Sequence, residues 1–159
     1  YVKQVQAAID QPVTVADNYE WWISDGAPLA AVVDFLGVHT YPAWEQKSID
    51  EALAYTIDNV ERVQAALPGK PLAILEAGWA TVAVEFAEHA SEANQARYYR
   101  ETRQWAESAN ITVFFFEAFD EPWKGDPNNP AGAEKHWGLF NVDRTPKKVV
   151  EELHPGSVR

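Results

Sequence analysis

The 159-residue sequence has no cysteine. Disulfides and thiolate metal sites are excluded, and the redox compartment leaves no trace in the composition. Basic residues are few: 13 against 24 acidic, a net charge of −11. An acidic surface repels a phosphate backbone, so no nucleic-acid partner is expected, while a neutral polysaccharide meets no such penalty. No apolar run is long enough to span a membrane, so no membrane insertion is expected. No G-x-G-x-x-G or Walker loop follows any strand-like segment, which removes support for a nucleotide, and no cofactor is expected. No H-x-x-x-H pair occurs, so no metal is expected either. No leader segment is visible, and the sequence opens on Tyr1 rather than Met, which reads as a processed or excised piece.

Apolar residues make up 47 % of the chain, including seven Trp, six Tyr and seven Phe. That suffices for one domain with a real core, and most rings are expected to fill it. It does not suffice for a complete eight-stranded βα barrel, which takes about 250 residues.

Strand-like segments alternate with helix-like ones. A helix tail over Tyr1 to Ile9 precedes a strand over Val13 to Ala16, which ends in Asp17, Asn18, Tyr19 and Trp22, either chemistry-bearing strand-end residues or a polar turn. A helical turn over Pro28 to Val33 leads to a second strand, Phe35 to Thr40. The long helix Ser48 to Leu67 opens on Ser48 with Glu51 three residues on, the pattern of a capping box. Leu72 to Leu75 is a third strand, Ser91 to Ala109 a helix, and Ile111 to Phe116 a fourth strand. A Pro/Asn/Gly-rich loop and a short helix over Pro146 to Leu153 close the chain. This alternation predicts a parallel α/β sheet in one domain, residues 1–159.

Chemistry concentrates at the strand ends. Pro71-Leu72-Ala73-Ile74-Leu75-Glu76-Ala77-Gly78-Trp79 reads as a strand covered on both faces and ending in a carboxylate. Glu76 suits glycosidic-bond chemistry, which needs two carboxyl groups across an anomeric carbon; the plain alternative is a cap on the next loop. The expectation is that Glu76 projects from the sheet's upper rim into a sugar-sized hollow, with Trp79 offering a flat face. In Phe114-Phe115-Phe116-Glu117-Ala118-Phe119-Asp120-Glu121-Pro122-Trp123-Lys124, continued extension would put Glu117, Phe119 and Glu121 on one side. A solvated acidic loop is the alternative. Lys124 could neutralise Glu121 or bind a sugar hydroxyl, and Glu134 could return to the same place. At the second strand end, His39 and Tyr41 share parity and can face one site together, with Tyr41 orienting a nucleophilic carboxylate. A core role for His39 stays open.

These motifs resemble glycoside hydrolase family 17: L-E-A-G-W, V-H-T-Y-P, F-D-E-P-W-K, and E-K-H-W-G-L-F-N-V-D-R-T-P-K. The resemblance runs from about Thr14 to Lys147. It implies a TIM-barrel fold and a retaining mechanism on β-1,3-glucan, by β-1,3-glucanases or related glucosyltransferases. It implies that Glu76 is the nucleophile after barrel strand seven and that Tyr41 lines the central sugar subsite. Glu121, Lys124 and Glu134 resemble the supporting residues after strand eight, and Trp79 and Phe119 resemble sugar-facing rings. The four strands resemble barrel strands five to eight, so the fold class is α/β, a parallel (βα)4 half of a TIM barrel. The family's acid/base Glu, after strand four, has no counterpart here.

Two completions follow from that departure. One is a missing N-terminal half-barrel. The other is a homodimer closing the ring, in which Glu117 or Glu121 of a second copy serves as acid/base. Without an acid the isolated chain is expected to be weak or inactive. A non-catalytic carbohydrate-binding half-barrel stays open as another reading. Polysaccharide substrates point to a secreted or periplasmic protein.

Overall fold

Alternation along each strand decides which side of the sheet a residue meets, and here the two sides are treated differently. The computed structural model describes residues 1–157; Val158 and Arg159, included in the expected domain, lie outside the described residues. Four parallel strands stand in the order β1-β2-β3-β4: β1 is Ala16–Asn18, β2 Leu36–Thr40, β3 Leu72–Ala77 and β4 Thr112–Phe115. The helices are α1 (Val2–Gln6), α2 (Tyr19–Ser24), α3 (Ala27–Ala30), α4 (Ile49–Ala66), α5 (Glu92–Ala109) and α6 (Lys148–Leu153). Short 3₁₀ turns lie at Ala133–Lys135 and Pro155–Ser157.

The long helices begin where their caps dictate. Glu51 Oε2 accepts from the Ser48 backbone N–H at 3.0 Å and from its hydroxyl at 2.6 Å, fixing the start of α4. The Ser91 hydroxyl accepts from the Asn94 N–H at 3.1 Å and opens α5. α5 stops at Asn110, which takes the left-handed conformation at φ 54°.

One side of the sheet packs on these helices. Leu36 and Val38 of β2 meet Trp22 and Val63 in one cluster, while Ile74 and Ala77 of β3 meet Val60, Trp79 and Tyr98 in another. Each large side chain fully buried this way contributes about 1.5–3 kcal/mol. The Trp22 Nε1–H donates to the Gly37 carbonyl at 2.7 Å, tying α2 to β2.

Two local expectations need correction. The first strand lies at Ala16–Asn18, not Val13 to Ala16. Asp34 and Phe35 engage Val13 and Thr14: the Val13 N–H donates to Asp34 Oδ2 at 2.7 Å and the Thr14 hydroxyl to the Phe35 carbonyl. The stretch after it is no polar turn but α2, because the Asn18 side chain accepts from the Glu20 N–H at 2.8 Å and caps a helix there.

Candidate active site

The inner side of the sheet carries the polar end. By alternation Leu75 faces inward, and its side chain fills the space over Gly37. Glu76 should then face the helices. It does not, because the β2–β3 register slips by one residue: Val38 pairs with Ile74, but His39 pairs with Glu76. A bulge of this kind turns one extra side chain to the same face. Ile74 and Ala77, three apart, both lie in the helix-side core, so Leu75 and Glu76 share the inner face.

There Glu76 meets the two residues that parity placed at the end of β2. The Tyr41 hydroxyl donates to Glu76 Oε2 at 2.7 Å, and His39 Nδ1 stands 3.4 Å from the same oxygen. His39 Nε2 is buried without a hydrogen-bond partner, and Nδ1 is the ring nitrogen that faces Glu76. Burial, then the bond to Glu76, pushes the Tyr41 pKa far upward, and the charges of Glu134 and Glu117 add to the shift. Tyr41 therefore stays a donor across the working pH range. Its ring is braced edge-on by Trp137, centroids 5.1 Å apart, and by Phe116 at 6.1 Å. Gly78 permits this closeness: a Cβ there would collide with the Phe116 carbonyl and press on Trp137 and Tyr41.

A second acidic group lies after β4. Lys124 Nζ is 2.7 Å from Glu117 Oε2 and 2.7 Å from Glu121 Oε2. Burial raises the Glu117 pKa despite Lys124, and Glu117 Oε1 is buried with no partner. The Lys124 hydrogen bond draws the Glu121 pKa down. On Lys124 itself burial opposes the charge, but the two carboxylates outweigh it and the pKa rises. Glu134 is exposed and sits in the middle of the 3₁₀ turn Ala133–Lys135 beside this group.

The predicted set is thus only partly gathered. Glu76, Tyr41 and His39 converge, and Glu117, Glu121 and Lys124 form an adjoining cluster with Glu134 in electrostatic reach of Tyr41. Trp79 does not offer a sugar face. It is 1 % exposed, packs on Tyr98, and its Nε1–H donates to the His89 carbonyl at 2.9 Å; the chain after Glu76 dives under the helices. Nor does Phe119 stand beside Glu117 and Glu121. Bends at Phe116 and Ala118 end the extension, and the Phe119 ring lies 3.6 Å from the Arg144 guanidinium and against Phe140. The expected hollow at Glu76 is not among the main hollows of the described residues, and the Glu76 side chain is 33 % exposed. A hollow of about 430 Å³ opens at the other end of the strands, between Phe35, Leu75 and Phe114.

Sequence reasoning missed four supporting residues. Trp137 and Phe116 hold Tyr41, as above. Gln95, 2 % exposed, donates from Nε2 to the Trp79, Trp137 and Gly138 carbonyls at 3.0–3.3 Å and joins the loops beneath the site. Lys147, 2 % exposed, donates to Asp120 Oδ1 at 2.7 Å and Thr81 Oγ1 at 2.8 Å. A buried lysine leaves no mark in a sequence, whereas Gln95 near the start of a helix whose flank meets two strand exits could have been noticed. No group of three or more His, Asp or Glu that could hold a metal occurs among the described residues.

A consecutive parallel sheet, helices on one face and a carboxylate at a strand's C-terminal end define one half of a βα barrel of the glycoside hydrolase kind. The BtgE/BtgC glycoside hydrolase domain matches residues 1–138, and the chain belongs to that family. A glucan 1,3-beta-glucosidase of Arthroderma benhamiae is 31 % identical over 163 aligned positions, covering 92 % of this chain and 52 % of that protein. The crystal structure of an endo-laminarinase from Formosa Hel1_33_131 superposes with a TM-score of 0.87 at 29 % identity, over 98 % of this chain and 51 % of that one. A glycoside hydrolase family 17 β-1,3-glucanosyltransferase from Rhizomucor miehei gives 0.82 at 31 % identity, over 94 % and 54 %. The chain spans about half the length of these relatives. The resemblance to family 17 and the half-barrel fold both hold. No helix among the described residues is long and apolar enough to cross a membrane.

Proposed function

We propose that this chain is a single half-barrel unit carrying the nucleophile of a retaining glycoside hydrolase that acts on β-1,3-glucan. The observation that carries this reading is Glu76, whose Oε2 accepts from Tyr41 at the ligand-binding end of a parallel strand. The relatives' names, glucan 1,3-beta-glucosidase and endo-laminarinase, support the substrate.

Tyr41 and His39 both sit on Oε2, which leaves Oε1 as the attacking oxygen. Oε1 bonds to the anomeric carbon as the bond from that carbon to the leaving glucosyl oxygen breaks. That oxygen takes a proton from the acid/base. Water then attacks the same carbon and gives its proton to the acid/base, and Glu76 departs as carboxylate. Glu121, Lys124 and Glu134 bind sugar hydroxyls near the same carbon.

The proton donor comes from a second half-barrel. It is either four preceding strands of a longer polypeptide or a second copy, with β4 of one copy beside β1 of the other and the second copy's Glu117 or Glu121 across from Glu76. Match to about half of each relative supports a second half. Light scattering on the eluting protein separates the two: a stable monodisperse monomer counts heavily against the self-paired form. Alone the chain lacks general-acid help worth about 10²–10⁴-fold.

The Rhizomucor neighbour favours a second outcome at the same site, with a sugar hydroxyl in place of water and glucosyl transfer as the result. The position of Glu76 outside the main hollows of the described residues favours a third, carbohydrate binding without turnover. A polysaccharide substrate places the activity in a secreted or periplasmic setting. Reducing-end release from laminarin by wild type and Glu76→Ala tests the proposal. Release should fall to background in the variant; equal release from both ends the enzymatic reading.

A further inference from the structure

The loop after β4 carries one side chain the proposed chemistry does not use, Trp123. Glu121-Pro122-Trp123-Lys124 forms a tight turn in which the Lys124 N–H donates to the Glu121 carbonyl at 3.1 Å. Pro122 at its second position presets the backbone. The Lys124–Glu121 ion pair closes the turn a second time at 2.7 Å. Lys135, itself buried, donates from Nζ to the Lys124 and Asp126 carbonyls, and its own carbonyl accepts from the Glu121 N–H at 3.3 Å. At the tip of this braced turn stands Trp123, 74 % exposed.

A single exposed ring is ordinary. This one differs in its support and its company. Lys124 Nζ lies 5.7 Å from the Trp123 ring centroid. Two of its three N–H groups go to Glu117 and Glu121, leaving one. The Glu121 side chain is 31 % exposed. A flat apolar face flanked by an ammonium donor and a carboxylate acceptor matches a pyranose, which has an apolar C–H face and a rim of hydroxyls. The turn is held before any ligand arrives, and Trp has only two χ angles to order, so little conformational entropy opposes binding.

We propose that Trp123 is a glucosyl-binding platform at the rim, for the sugar unit next to the one that Lys124 and Glu121 hold. The inference rests on the glucan reading of the same site and adds a subsite to it. A chain of contacts leads there from Glu76: Tyr41 at 2.7 Å, Phe116 at 6.1 Å from Tyr41, Lys124 at 4.4 Å from Phe116, then Trp123. The platform therefore holds a unit beyond the reacting one, and its contribution grows with the length of the oligosaccharide.

Calorimetric titration of the full chain with laminarihexaose and laminaribiose tests this, using wild type, Trp123→Ala, Trp123→Phe and Glu76→Gln, with circular dichroism verifying each fold. Trp123→Ala should weaken hexaose binding about two- to tenfold and biose binding less, while Trp123→Phe keeps most of the affinity. Equal hexaose affinity in wild type and a folded Trp123→Ala overturns the platform, as does a loss in Trp123→Phe as large as in Trp123→Ala. If Glu76→Gln alters binding of both sugars while Trp123→Ala alters neither, the active-site reading stands and the platform falls. A wild-type chain that binds neither sugar overturns the platform, while the nucleophile reading is judged by the laminarin assay.

Discussion

Residues on the two faces of one sheet have opposite fates. Leu36, Val38 and Ile74, facing the helices, are 0 % exposed, whereas Phe114 of β4, on the inner side, is 58 % exposed. The cause is topological. Consecutive parallel strands joined by crossovers of one hand put every helix on one face. The chain completes that face alone and leaves the other open, and the carboxylates and their partners occupy the open face and its rim. Stability and chemistry are thereby assigned to different sides of one sheet.

Substitution can test this division, starting with the largest effect. Trp22→Ala, on the closed side, removes a fully buried ring and the donor to the Gly37 carbonyl. It should cost about 3–5 kcal/mol, read as a lower urea midpoint; a loss below about 1 kcal/mol would show that the closed face is not where stability resides. Lys147→Met leaves Asp120 charged and buried, at a cost on the order of 3 kcal/mol. The double variant with Asp120→Asn should recover much of that, and strict additivity would refute the pairing. Tyr41→Phe, on the open side, should barely move the melting temperature but cost about 1–3 kcal/mol of transition-state stabilisation. That appears as a fall in turnover on laminarin once both halves are present. Phe114→Ser should shift stability of the isolated chain by no more than about 0.5 kcal/mol. It should lower self-association in light scattering, and a clear loss of stability would mean that the inner face is already packed.

Legibility followed the same division. The capping box at Ser48 and Glu51 was readable because it involves residues three apart on one helix. Tyr41 and His39 were readable as a pair because two residues of equal parity on one strand face one way. Trp79 was misread because its environment depends on the path of the chain after Gly78, which turns beneath α5. Phe119 was misread because alternation was carried past bends at Phe116 and Ala118 that no local rule announces. The 430 Å³ hollow between Phe35, Leu75 and Phe114 is a product of the open face and is lined mostly by apolar residues, with Asp34 and Thr112 beside them.

Local order of residues alone determined that strands alternate with helices, where α4 and α5 begin, and that carboxylates and rings cluster after β3 and β4, since propensity, capping and period act over a few positions. Only tertiary structure decided that Glu76 turns inward beside Tyr41 and His39. That outcome needs a one-residue slip between two strands more than thirty positions apart, and a slip between strands is set by how both pack against the same helices.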